Sequence, residues 1–199
     1  MQLLRVISFG LLIVVFCCST VRAQRPGPEF RQRLACEPLE PRTKLEAIEA
    51  KYERVLVKGF SQIATIDARA AGVRLDAVEI KDIAAATSAL GLVVSLRETG
   101  DTPRENRAFV DYEEIDRLLR ALESVARVNE SVTKLAGFEA RYRTPGDLEV
   151  AVFRQARSGT AVSLSAGICD RVTALLTLDD LEKLRAHIVE AKARLDELK

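Results

Sequence analysis

Tryptophan is missing from this chain of 199 residues, tyrosine occurs three times, histidine and methionine once each, and basic and acidic side chains number 30 and 29. Balanced charge excludes a broad basic field for gripping nucleic acid or an anionic membrane. Scarce aromatics exclude rows of stacking platforms for single strands. Cys17 and Cys18 lie in an apolar leader, so one histidine and two further cysteines are too few for a metal centre without a carboxylate cluster beside them. The glycines are dispersed, and no Gly-rich run joins a strand to a helix to cradle phosphate.

What the chain does have is a leader. Arg5 gives a positive start, residues 6–20 are almost wholly apolar, and Val21-Arg22-Ala23 suits a signal peptidase. The expectation is a secretory signal over residues 1–23, cut between Ala23 and Gln24. The rival is an uncleaved anchor, but the stretch is shorter than the roughly 20 apolar residues of a spanning helix and Arg22 closes it. Phe16 before Cys17 disfavours lipidation, which needs a small residue there. Subtracting Arg5 and Arg22 from the 30 basic side chains leaves 28 against 29, a formal charge of −1 for the mature chain. The implied destination is extracytoplasmic, secreted or periplasmic, with no stable membrane insertion after cleavage. In that oxidising setting Cys36 and Cys169 are expected to pair. Closing so long a loop stabilises by roughly 4 to 5 kcal/mol in the chain-entropy picture.

Four of six prolines, Pro26, Pro28, Pro38 and Pro41, fall in residues 24–42, which reads as an extended arm. The folded body is expected over 43–199 as a single α+β domain. Thr43 and Glu46 make a capping box for a short helix reaching about Tyr52, with Leu45, Ile48 and Tyr52 on one side. Alternation follows. Val55 and Val57, then Val73, Leu75 and Ala77, then Leu92, Val94 and Leu96, then Phe109 and Val110 read as strands, separated at Ala71-Gly72, Ser88-Ala89 and residues 100–103. The step from Ala77 to Val78 and Ile80 breaks the alternation and suggests a bulge. Asp111 and Glu114 open a second helix carrying Ile115, Leu118, Leu119, Leu122, Val125 and Ala126.

Phe138, Ala140 and Tyr142 then alternate with charges up to a turn at 144–147. A three-residue loop, 145–147, pairs Tyr142 with Val150, Ala140 with Val152 and Arg143 with Glu149, so all apolar groups face one way; a two-residue loop mixes the faces. Two more strands, Val162, Leu164, Ala166 and Val172, Ala174, Leu176, lead to a last helix capped by Thr177 and Asp180, with Leu181, Leu184, Ile188, Ala191, Leu195 and Leu198.

Residues 108–115 and 174–181 repeat one order: apolar strand end, cap, apolar residue, two acids, aliphatic anchor. The expected fold is therefore two degenerate ββββα units, roughly 53–128 and 138–198, forming antiparallel sheets packed by helices and preceded by a short N-terminal helix. That order resembles the whirly family of single-strand-binding folds, a curved sheet followed by a helix, twice. The resemblance is one of topology, with no binding motif of the family, and topology alone carries no function.

Candidate chemical residues have plain structural readings. His187 borders the apolar stripe of the last helix with Glu190 one turn on, without a local nucleophile. Glu113-Glu114 and Asp179-Asp180 sit in first helical turns, where acids complement exposed amides. Ser163 and Ser165 alternate with apolar neighbours, lack a nucleophile elbow, and read as the wet face of a sheet. Asn129-Glu130-Ser131 matches a glycosylation sequon. Arg141, Arg143, Arg154 and Arg157 are the candidate binding patch, with cross-strand pairing to Glu139 and Glu149 as the plainer account. No residue is nominated as catalytic, cofactor-binding or metal-ligating. The sequence favours a non-catalytic interaction domain taking a protein, polymer or small apolar ligand on a sheet face or between sheet and helices. The alternatives are an exported hydrolase-like enzyme and a self-associating structural protein.

Overall fold

The computed structural model describes residues 40–155 and 159–199. Ala23, Gln24, Cys36 and Arg157 lie outside the described residues. A short helix α1 (Lys44–Glu49) comes first, then the strands β1 (Leu56–Asp67), β2 (Ala71–Asp82), β3 (Thr87–Glu98) and β4 (Glu105–Asp111). A 3-10 turn (Tyr112–Glu114) leads into α2 (Ile115–Ala126), and after another 3-10 turn (Glu130–Val132) come β5 (Glu139–Arg143), β6 (Leu148–Gln155), β7 (Gly159–Ala166), β8 (Val172–Leu176) and α3 (Leu178–Asp196). The strands form two four-stranded antiparallel sheets in sequential order, an α+β architecture. Among the described residues no helix is long and apolar enough to cross a membrane.

The two sheets meet directly, β8 beside β2 and β3, and the long helices close the core, α3 mainly on the first sheet and α2 on the second. One continuous core takes Val73, Leu75, Leu92 and Val94 from the first sheet, Val150, Leu164 and Ala174 from the second, Ile115, Leu118 and Leu122 from α2, and Leu181, Leu184 and Ile188 from α3. Each Val, Leu or Ile among them contributes about 1.5–3 kcal/mol by leaving water. Two backbone bridges tie the sheets at their flanks. Arg69, in the β1–β2 turn, exchanges hydrogen bonds of 3.1 and 2.8 Å with Leu175 of β8, and Phe109 of β4 pairs with Gly146 in the β5–β6 turn.

The first sheet is buried on its second face as well, but only in part. There α1 places Leu45 and Ile48 against Val78, Ile80, Ala89, Val93 and Phe109. This explains the broken alternation in β2: Ala77 faces the main core and Val78 faces α1, so consecutive apolar residues report burial on both faces. β2 itself carries no bulge at 77–78; the register shift lies in β1, between Gln62 and Ala64.

Other expectations need correction for the same reason, that neighbours distant in sequence decide boundaries. Ser88 and Ala89 are not a turn but part of β3. The chain reverses at 83–86, with Ala86 at φ 50° and the Asp82 carboxylate accepting from the Ala85 amide at 3.1 Å. Ala71 and Gly72 begin β2, after a reversal at Ala70, φ 76°. α1 ends at Glu49, leaving Tyr52 91% exposed. Leu198 lies past the end of α3 and is 57% exposed. The β5–β6 register has the three-residue loop, with Tyr142 opposite Val150, Ala140 opposite Val152 and Arg143 opposite Glu149. Asp147 takes the left-handed position of that loop, φ 65°.

Candidate functional site

β1 is twelve residues long and stands at the open edge of the first sheet. The Val55 carbonyl accepts from the Ile83 amide at 3.2 Å, which makes 55 and 83 a hydrogen-bonded pair of the β1–β2 ladder. Antiparallel ladders alternate, so Val57, Gly59 and Ser61 point their backbone groups at β2, while Leu56, Lys58, Phe60 and Gln62 point theirs away from the sheet. Phe60 is 64% exposed, and Val55 and Val57 are exposed on the other face of the strand. Lys58 is drawn to Glu49 of α1 at 3.2 Å.

Next to this edge lies a cleft of about 360 Å³ between β1, β2 and the end of α3, lined by Phe60, Ser61, Glu79, Arg194 and Leu198 among others. Phe60 lies opposite Val78 and so turns its side chain to the α1 face, while Ser61, Glu79, Arg194 and Leu198 give the cleft polar, charged and apolar surface in turn, which suits an extended segment with alternating side chains. A second cleft, of about 200 Å³, runs beside β4 and is lined by Asn106, Arg107, Gly146, Asp147, Gly167 and Cys169 among others. It is closely built. The Asn106 side chain donates to the Cys169 carbonyl at 2.6 Å. The Arg42 guanidinium meets the nearly buried Asp147 carboxylate at 2.9 Å, and Arg143 holds the same carboxylate.

The predicted arginine patch is divided. Arg141 and Arg143 sit on one face of β5, Arg141 at 3.3 Å from Glu139 and 3.9 Å from Glu149, and Arg143 on Asp147. Arg171, which the sequence reading did not single out, takes Glu149 at 2.9 Å. Arg154 is exposed at the far end of β6 and occupies the register position of the opposite face. His187 lies half-buried with Nδ1 3.6 Å from Glu190.

The acid pairs serve helix ends and cross-links. Lys44 donates to Glu113 at 2.6 Å and holds that carboxyl below its ordinary range. Asp180 is held low by Lys183 and then by Thr177. Burial pushes Glu114 upward. Asp111 does something sequence reading missed: its carboxylate accepts from the Lys44 and Leu45 amides at 2.7 and 3.1 Å, capping α1 from the end of β4. Only contact across 66 residues reveals it. Ser165 is buried rather than wet, its hydroxyl paired with Thr173 at 2.9 Å.

Among the described residues every buried side-chain nitrogen and oxygen has a hydrogen-bond partner, and no three His, Cys, Asp or Glu side chains gather to hold a metal. The strongest unengaged feature is therefore the β1 edge with its cleft. No protein-family model, curated protein or solved structure matches the chain, so the likeness to whirly folds rests on element order alone.

Proposed function

We propose that this is an exported, non-catalytic interaction domain that binds an extended segment of a partner protein by strand addition along β1. The observation that carries it is the row of outward backbone groups at Leu56, Lys58, Phe60 and Gln62 beside a cleft lined by Glu79, Arg194 and Leu198. Main-chain hydrogen bonds to such an edge supply affinity, and the cleft selects alternate side chains. The leader delivers the chain outside the cytosol, and the mature product begins at Gln24. The element order and the two similar strand-to-helix junctions, 108–115 and 174–181, support an origin in two degenerate ββββα units.

Selection of displayed random peptides on the protein spanning residues 24–199 tests the binding. Peptides so obtained lose about tenfold in affinity, roughly 1.4 kcal/mol, on Phe60→Asp, and none on Val189→Asp, an exposed position on α3. Peptides that bind both variants alike overturn the assignment. Turnover of a hydrolase substrate, abolished by one polar substitution, overturns the non-catalytic reading.

A further inference from the structure

We infer that the segment added along β1 carries an aromatic side chain opposite Gly59, laid over that glycine against Leu198 and the Arg194 guanidinium. The inference rests on the strand addition proposed above and names the side chain that the cleft selects.

Every strand pair of the first sheet is antiparallel, and the added strand is taken in the same sense. Gly59 turns its own backbone groups toward β2. Toward a new neighbour it is therefore a non-hydrogen-bonded position, where facing residues come closest, about 4.5 Å between Cα atoms, and their side chains share one face. That face holds the cleft: Gly59 and Ser61 stand opposite Glu79 and Ala77 in the ladder, and all four line it.

Gly59 is the gap in this surface. A Cβ built there meets nothing nearer than the Glu79 carbonyl oxygen at 4.0 Å, so the room that a strand side chain would fill is open to the residue facing it. An aromatic ring from a cross-strand neighbour covers the bare glycine and restores the packing it lacks. At about 360 Å³ the cleft has room for one ring.

The end of α3 decides the chemistry of that side chain. Leu195 is buried, whereas Leu198 is 57% exposed and offers apolar surface. Arg194 is exposed and joins no ion pair among the described residues. Alone it would take a carboxylate as readily as a ring. Glu79 and Glu197 line the same cleft and repel a carboxylate, whereas a ring turns its negative face to a guanidinium and its positive edge to acids. Glu79 is already held by Lys81 at 3.1 Å, so an incoming cation gains little from it and meets Arg194 as a like charge.

The test selects displayed random peptides on the protein spanning residues 24–199 and places the bound strand by cross-relaxation between peptide Hα protons and those of Gly59. Most selected peptides are expected to carry Phe, Tyr or Trp opposite Gly59. Replacing that residue by alanine weakens binding about tenfold, and replacing it by leucine about threefold. Gly59→Val keeps the fold, because a Cβ has room, but its side chain fills the gap and cuts the aromatic-to-alanine difference below about twofold. Arg194→Gln removes the preference for aromatic over leucine and keeps most of the loss to alanine. Peptides that lie along β1 without an aromatic opposite Gly59, or whose aromatic keeps its full worth in Gly59→Val, overturn this inference and leave strand addition standing. Failure to select any peptide, or binding that is indifferent to Phe60→Asp, sinks strand addition and this inference together.

Discussion

The two outer strands of the first sheet, β1 and β4, present the same chemistry and meet different fates. Each turns alternate backbone groups away from its neighbour. β4 is closed against the second sheet at Phe109 and Gly146, and its Asp111 carboxylate reaches out to start α1. β1 runs for twelve residues with an exposed phenylalanine and a cleft alongside. An edge strand invites pairing unless it is shortened, charged or covered. The difference therefore marks which edge holds the fold together and which is left open for the strand addition proposed above.

The largest expected effect breaks the closed side. A Cβ on Gly146 lands 2.0 Å from the Phe109 carbonyl oxygen, whereas one on Gly59 in β1 finds its nearest neighbour 4.0 Å away. Gly146→Ala is expected to cost about 3 kcal/mol in urea unfolding by forced overpacking. Gly59→Ala is expected to be neutral or to stabilise by up to about 1 kcal/mol, since glycine is poor in a strand interior. Equal effects at both sites erase the contrast.

Leu45→Ala comes next. Its side chain is fully buried between α1 and the first sheet, and the cavity left is expected to cost about 3 kcal/mol while sparing peptide binding at β1. Asp111→Ala removes the acceptor for two α1 amides and is expected to cost about 2 kcal/mol, with faster exchange at Lys44 and Leu45 as its signature.

The smallest effects are seen in pH. The Ala85 amide, then Lys51, hold the Asp82 carboxyl below its ordinary range. Its contribution is present above the unfolded pKa and is lost as pH falls through the lowered folded value. Glu114 has the opposite sign, because burial raises it: its contribution is present below the unfolded pKa and is lost as pH rises through the folded one. Urea midpoints against pH are thus expected to lose their acid decline in part with Asp82→Asn. Glu114→Gln is expected to stabilise slightly near neutrality and not in acid.

Local chemistry made much of this fold readable in advance. The 145–147 loop followed from which register keeps Tyr142, Val150, Ala140 and Val152 on one face, and Thr177 with Asp180 marked the start of α3. What stayed hidden depends on partners far along the chain. Ala77 and Val78 look like a slipped strand until α1 is known to cover the second face, and Ser88 and Ala89 look like a turn until β3 pairs them with β2. Asp111 forms the box with Glu114 at the helix beside it, as its spacing suggests, yet its carboxylate serves α1 as well. The candidate site was the least legible part. A strand's sequence says which residues are apolar, but sheet order says which strand is left at the edge.

Residue-resolved amide exchange, measured on the protein spanning residues 24–199 with and without a selected peptide, tests the open edge most directly. Val57, Gly59 and Ser61 should be slow from the start, and Leu56, Lys58, Phe60 and Gln62 should be fast when free and slow together when the peptide binds. Slow exchange at those four positions in the free protein, or protection that gathers on another strand, contradicts the account.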